Sequence, residues 1–126
     1  MDSLYARTGF DISRTITRNY STSFFSAVNL LAKDIREAIF GIYGFVRLAD
    51  EIVDSFTDYD RQYLLNRFEQ DYAEAIQQGI STNPVINAFE LTVRKYRIDR
   101  HLIEAFLKSM RADLSHPGYS RKSDIE

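Results

Sequence analysis

Cysteine is absent from the 126 residues, and so is tryptophan. The lack of thiols excludes a disulfide framework and any thiolate metal site. Neither sign of charge dominates: 16 Lys and Arg against 18 Asp and Glu give a net charge of −2. That balance offers no electrostatic reason to expect nucleic acid as a partner. No stretch is long and apolar enough to span a membrane. The first twenty residues carry Asp2, Arg7, Asp11, Arg14 and Arg18 and no apolar run, so no signal peptide is expected. The two histidines, His101 and His116, lie apart and receive no role. What remains is a 27% charged, 44% apolar chain, ordinary for a soluble globular domain. Its length fits one domain, residues 1–126. Nine Phe and eight Tyr are a heavy aromatic load, suited to building a core or lining a hydrocarbon pocket.

Helical spacing runs through the chain. A first short helix is expected from about Asp11, with Ile12 and Ile16 on one side. In Tyr20-Ser21-Thr22-Ser23-Phe24, the hydroxyls either cap a helix start or, with free N–H groups, bind an anion such as phosphate. Position alone does not separate the two. Asp34-Ile35-Arg36-Glu37 has the form of a capping box and predicts a long helix to about Ser55, in which Gly41 and Gly44 leave room for close packing. Further helices are predicted around Tyr63, Leu64, Phe68, Tyr72 and Ile76, ended by Gly79, and after Asn83-Pro84 through Val85, Phe89, Val93 and Tyr96. Asp99 is placed to cap a last one carrying Leu102, Ile103, Phe106, Leu107, Met110 and Leu114; Ser115–Ser123 reads as loop. With no strand-period segment, the expectation is an all-α bundle of five or six helices.

The long central helix holds the most telling pattern. Tyr43, Arg47, Asp50 and Asp54 fall within a narrow wedge of its surface. Ile35, Ile42, Val46, Ala49 and Val53 occupy one flank, and Phe45, Leu48, Ile52 and Phe56 the back. A helix apolar almost all round is usually buried, so the stripe is expected to face an interior cavity. Two carboxylates there, with Cβ atoms roughly 6 Å apart, repel and are costly to desolvate. A divalent cation removes both problems. An all-oxygen set without nearby His or Cys suits Mg²⁺ or Mn²⁺ rather than zinc. Arg47 could then hold a diphosphate oxygen. The plain alternative, that Arg47 merely pairs with Asp50 and Glu51 on a solvated face, stays open at this point.

Taken together these stretches resemble the squalene and phytoene synthase family, the head-to-head prenyl transferases. The resemblance rests on Ser21-Thr22-Ser23-Phe24, Leu30-Leu31, Arg36-Glu37-Ala38-Ile39, the block from Ile42 to Asp54, and Phe106 to Leu114. It implies the N-terminal portion of an isoprenoid-synthase-type fold. It also implies Mg²⁺ on Asp50 and Asp54, with Glu51 in support, and diphosphate contacts and ionisation at Tyr43 and Arg47. Ser21 and Ser23 would lie beside the diphosphate, and Phe24 along the prenyl channel. The implied reaction joins two prenyl diphosphates, farnesyl (C15) or geranylgeranyl (C20), through a cyclopropyl intermediate; whether NADPH follows is open.

The family's second aspartate-rich motif and later helices have no counterpart in these residues. The expectation is therefore an incomplete synthase with little activity by itself. Apolar flanks left uncovered would favour a homo-oligomer. Oily substrates suggest a cytoplasmic protein with peripheral membrane contact. Two rivals stand beside this reading: a non-catalytic family relative acting as an assembly factor, and a plain helical interaction module.

Overall fold

The structure, a computed structural model, describes residues 3–114 and is all-α. His116 and the expected loop at Ser115–Ser123 lie outside the described residues. The helices are α1 (Leu4–Tyr20), α2 (Thr22–Val28), α3 (Lys33–Ser55), α4 (Arg61–Gln78), α5 (Pro84–Tyr96) and α6 (Arg100–Leu114).

Most boundaries follow local chemistry. The Asp60 side chain accepts from the Tyr63 N–H at 3.0 Å and opens α4. Gly79 closes it at φ 76°, a left-handed conformation that glycine takes without a Cβ penalty. Asn83 accepts from the N–H groups of Val85 and Ile86, with Pro84 in the first turn of α5. Asp99 accepts from His101 N at 2.9 Å and heads α6. Two starts differ from expectation. The first helix begins at Leu4, not near Asp11, because Ser3 caps it through the Ala6 N–H. The central helix begins at Lys33 behind Ala32, with no side-chain cap, so Asp34 lies inside the first turn and not at the cap of a box.

Small residues set how the helices approach. A Cβ added to Gly44 would lie 2.6 Å from Ser13 Oγ, and one on Gly41 would lie 2.8 Å from Thr92 Oγ1 and 3.0 Å from Phe10. The two glycines therefore bring α3 within backbone reach of α1 and α5. Phe10 meets Gly41 and Ser13 meets Gly44. Tyr20 meets Glu51, 31 residues further on. The offset is constant, so α1 and α3 run parallel. Tyr96 lies against Asp34 and Phe89 against Phe45, so α5 runs antiparallel to α3.

The other side of α3 carries the core. Phe45 is fully buried, stacked on Phe89 at 3.8 Å between ring centroids, with Phe68 at 4.8 Å and Tyr72 at 5.3 Å. Ala49, Ile52, Val53, Leu65, Ile103, Leu107 and Met110 complete it. The apolar spacing misjudged individual positions: Tyr63 and Leu102 are exposed while Leu65, two residues after Tyr63 and across α4 from it, is buried. Ile35, in the first turn of α3, is exposed too. No helix among the described residues is long and apolar enough to cross a membrane.

Candidate functional site: the Arg47 cluster on α3

The parallel pairing of α1 and α3 ends at the stripe. Arg47 donates from one terminal nitrogen to Asp50 Oδ2 at 3.2 Å and from the other to Glu51 Oε1 at 2.7 Å. Its guanidinium carbon lies 4.6 Å from the centroid of the Tyr20 ring, a cation–π distance. The Tyr20 hydroxyl donates to Glu51 Oε2 at 2.8 Å. Both Glu51 oxygens are thus engaged, one by the arginine and one by the phenol.

The environment sits between the two readings that spacing left open. Arg47 does pair with Asp50 and Glu51, yet the face is not freely solvated: the side chains keep only 13% exposure for Arg47 and 21% each for Asp50 and Glu51. Nor is the stripe enclosed by an interior cavity as expected, because α1 covers one flank only. A cavity of about 570 Å³ does exist elsewhere, between the start of α1 and the end of α4, with Tyr5, Asp71, Glu74, Gln78 and Ser81 in its lining. It contains no stripe residue. Its Tyr5 hydroxyl is already bonded to the Ser81 carbonyl at 2.5 Å and its Asp71 to Arg67 at 3.1 Å, so the convergent chemistry is at Arg47.

The electrostatics follow from half-burial. Burial alone would push the Arg47 pKa down; the Glu51 hydrogen bond and the charges of Asp50 and Glu51 outweigh it and raise it, so the guanidinium stays charged. Burial would raise the Glu51 carboxyl, but hydrogen bonds from Arg47, Tyr20 and Ser55 hold it below the usual carboxylate range. The Tyr20 phenol is raised, chiefly by the bond it donates to Glu51 and then by burial. One donor remains without a partner: Arg47 Nε is buried and makes no hydrogen bond.

The remaining expected site residues surround this cluster unevenly. Tyr43 lies one turn before Arg47 and its ring stacks on Phe24 at 5.5 Å, which brings α2 to the stripe. Ser21 ends α1 and caps α2, accepting from the Phe24 N–H at 3.4 Å. Its hydroxyl therefore has the plain capping role, in a helix of only seven residues. Ser23 is exposed on α2, and Asp54 is half-buried in the last turn of α3. Tyr20 was not singled out by the sequence. Its signal was the face Ser13, Thr17, Tyr20 on α1, which becomes meaningful only once the 31-residue offset to α3 is known.

Metal fit can be judged from the donors. Among the described residues no three His, Cys, Asp or Glu side chains group closely enough to hold an ion by themselves. Asp50 and Asp54 offer two carboxylates one turn apart. That is too few for a calcium cage but suits Mg²⁺, which keeps waters and takes phosphate oxygens alongside one or two carboxylates. One guanidinium among three carboxylates also leaves the stripe net negative, so a diphosphate gains attraction only once a cation is present.

Comparison with known proteins shows the family. The squalene/phytoene synthase pattern matches residues 17–125. The chain belongs to the squalene/phytoene synthase family. It is 28% identical to a phytoene synthase of Rhodobacter capsulatus over 125 residues, 98% of this chain and 37% of that protein. It is 30% identical to a presqualene diphosphate synthase of Rhodopseudomonas palustris over 95 residues, 74% of this chain and 33% of that one. A phytoene synthase of Arthrospira platensis matches at 28% over 117 residues, 92% and 38% of the respective lengths. The family chain thus spans less than two fifths of these relatives.

Proposed function

We propose that this family member uses the α3 stripe to grip the diphosphate of a prenyl diphosphate, as one wall of a head-to-head prenyl transferase site. The observation that carries this is Arg47: a half-buried guanidinium with an orphaned Nε–H, braced beside two aspartates one turn apart. A phosphate oxygen supplies the acceptor that Nε lacks. Asp50 and Asp54 would hold Mg²⁺ or Mn²⁺, which when bound neutralises the leaving diphosphate. Arg47 adds charge-assisted hydrogen bonds to the same group. Tyr43 and Phe24, stacked beside the stripe, present ring faces to the allylic chain and exclude water from it. Ser21 and Ser23 stand at the start of α2 beside this pair.

Farnesyl and geranylgeranyl diphosphate are the proposed ligands. The 126 residues by themselves are expected to bind one without joining two, since a single carboxylate pair cannot hold a full metal cluster. Exposed Phe24 beside the stripe, with exposed Leu30, Leu31 and Ile35 around the start of α3, suits association with another copy or with the surface of the membrane that supplies oily substrates in the cytoplasm. Calorimetric titration of farnesyl diphosphate with and without Mg²⁺ tests the reading. Binding should require the metal and disappear in Asp50→Ala; metal-independent binding, or full retention in that variant, would refute it.

One observation favours a second reading. Arg47 is already bonded to two carboxylates, so the cluster can also serve as a brace between α1 and α3 in a non-catalytic relative. Such a brace shows no rise in melting temperature with Mg²⁺ and pyrophosphate together, whereas a ligand site shows one through linkage.

A further inference from the structure

We infer that Tyr20 is a positioning residue for Arg47: through Glu51 and its own ring it fixes which edge of the guanidinium is offered to a phosphate, a role that rests on the diphosphate reading above. The geometry assigns each contact a part. Tyr20 is the last residue of α1 and is 50% exposed, so core packing does not account for its placement. Its hydroxyl engages Glu51 Oε2, which leaves Oε1 for Arg47. The bond from Arg47 to Glu51 is 2.7 Å, whereas the bond to Asp50 is 3.2 Å. The nitrogen on Glu51 is therefore the held one. The unpartnered Nε–H lies on the same edge of the guanidinium as that held nitrogen, so the bond to Glu51 fixes where Nε–H points. The Tyr20 ring, 4.6 Å from the guanidinium carbon, restricts rotation of that plane.

Placement depends on the backbone as well. Gly44 against Ser13 sets the offset between α1 and α3 that delivers Tyr20 to Glu51. Immediately beyond Tyr20, Ser21 turns the chain into α2, and Phe24 returns to stack on Tyr43. One short segment thus holds both ends of the stripe's polar group.

Two variants separate ring from hydroxyl, and two readouts separate positioning from ligand binding. In ¹⁵N-labelled protein the Arg47 Nε–H resonance should be shifted by the ring current of Tyr20, retained in Tyr20→Phe and displaced in Tyr20→Leu. Calorimetry with Mg²⁺ and inorganic pyrophosphate should show affinity weakened about three- to tenfold in Tyr20→Phe, the scale of one hydrogen bond, and further in Tyr20→Leu. Glu51→Gln should cost much less in the Tyr20→Phe background than alone. An Arg47 resonance unmoved by Tyr20→Leu, or equal pyrophosphate affinity in all three proteins, overturns the inference. A resonance that behaves as stated in a wild-type protein that binds no pyrophosphate overturns the diphosphate reading and the positioning role with it, and leaves Tyr20 as a brace.

Discussion

On the side of α3 that meets α4, α5 and α6, Phe45 is surrounded by Phe68, Tyr72, Phe89 and Phe106, and every neighbour is supplied by the chain itself. On the side that meets the end of α1, Arg47, Asp50, Glu51 and Tyr20 satisfy one another while keeping partial access to water. The first side gains free energy by excluding solvent, and its geometry is fixed by close packing. The second gains little, since a mostly buried ion pair scarcely offsets its own desolvation. A helix that spends its apolar residues on one face can afford a costly polar group on the other. Stability and ligand chemistry are thereby assigned to separate arcs of one cylinder.

The sharpest way to break that division is Phe45→Ala. Loss of a fully buried ring costs about 3–5 kcal/mol, a large share of the roughly 5–15 kcal/mol that holds a domain together. Denaturant unfolding should show the midpoint collapse, and the polar face should be lost with the fold. Gly44→Ala ranks next. Alanine gains about 1 kcal/mol in helix propensity, but its Cβ would sit 2.6 Å from Ser13 Oγ and 2.8 Å from Ser13 Cβ. Overpacking of this kind costs about 1–3 kcal/mol, so a net loss is expected, with partial recovery in Gly44→Ala/Ser13→Gly. A Gly44→Ala protein as stable as the parent would mean that α1 and α3 can separate freely.

How far the sequence disclosed these two faces depended on range. Helix type and most boundaries were legible because they are local: Asp60, Gly79, Asn83-Pro84 and Asp99 act on backbone groups within a few residues. The order Tyr43, Arg47, Asp50, Asp54 on one face was legible from the helical repeat. The start of α1 was hidden because Leu4–Tyr20 is a weakly apolar helix, whose buried positions are Ala6, Gly9, Ser13 and Thr17. An apolar-spacing rule passes over such residues, although they are the ones that permit close approach. Tyr20 was hidden for the same reason, since its partner lies 31 residues away and only the packing offset joins them.

A smaller effect tests the aromatic face from within. The Tyr72 hydroxyl is buried without a hydrogen-bond partner, and burial pushes its pKa up to about 12. A phenol raised in the folded state favours the protonated form. Its contribution is complete below the unfolded value near 10 and is lost as pH climbs from there toward 12. Tyr72→Phe should therefore flatten the alkaline limb of stability over that window. Near neutral pH it should be neutral or slightly stabilising, because an unsatisfied buried hydroxyl is removed. Chemical denaturation at pH 7 and pH 11 would show the difference; an unchanged alkaline limb would mean the hydroxyl reaches water.

The least of these effects belongs to the polar face, and its sign is opposite. Glu51 is held below its ordinary value of 4.5, with hydrogen bonds from Arg47, Tyr20 and Ser55 outweighing burial. A carboxyl depressed on folding stabilises the protein above the unfolded pKa and ceases to do so as pH falls through the folded one. Stability should accordingly drop below pH 4.5, and Glu51→Gln should remove that part of the acid limb while leaving the alkaline limb to Tyr72. Desolvation of a pair that keeps only 13% and 21% of its side-chain surface offsets most of its attraction and leaves a contribution of about 0–1 kcal/mol. If Glu51→Gln instead cost as much as Gly44→Ala, the cluster would be holding α1 to α3 as firmly as the packing does, and the division of α3 into a stabilising arc and a chemical arc would fail.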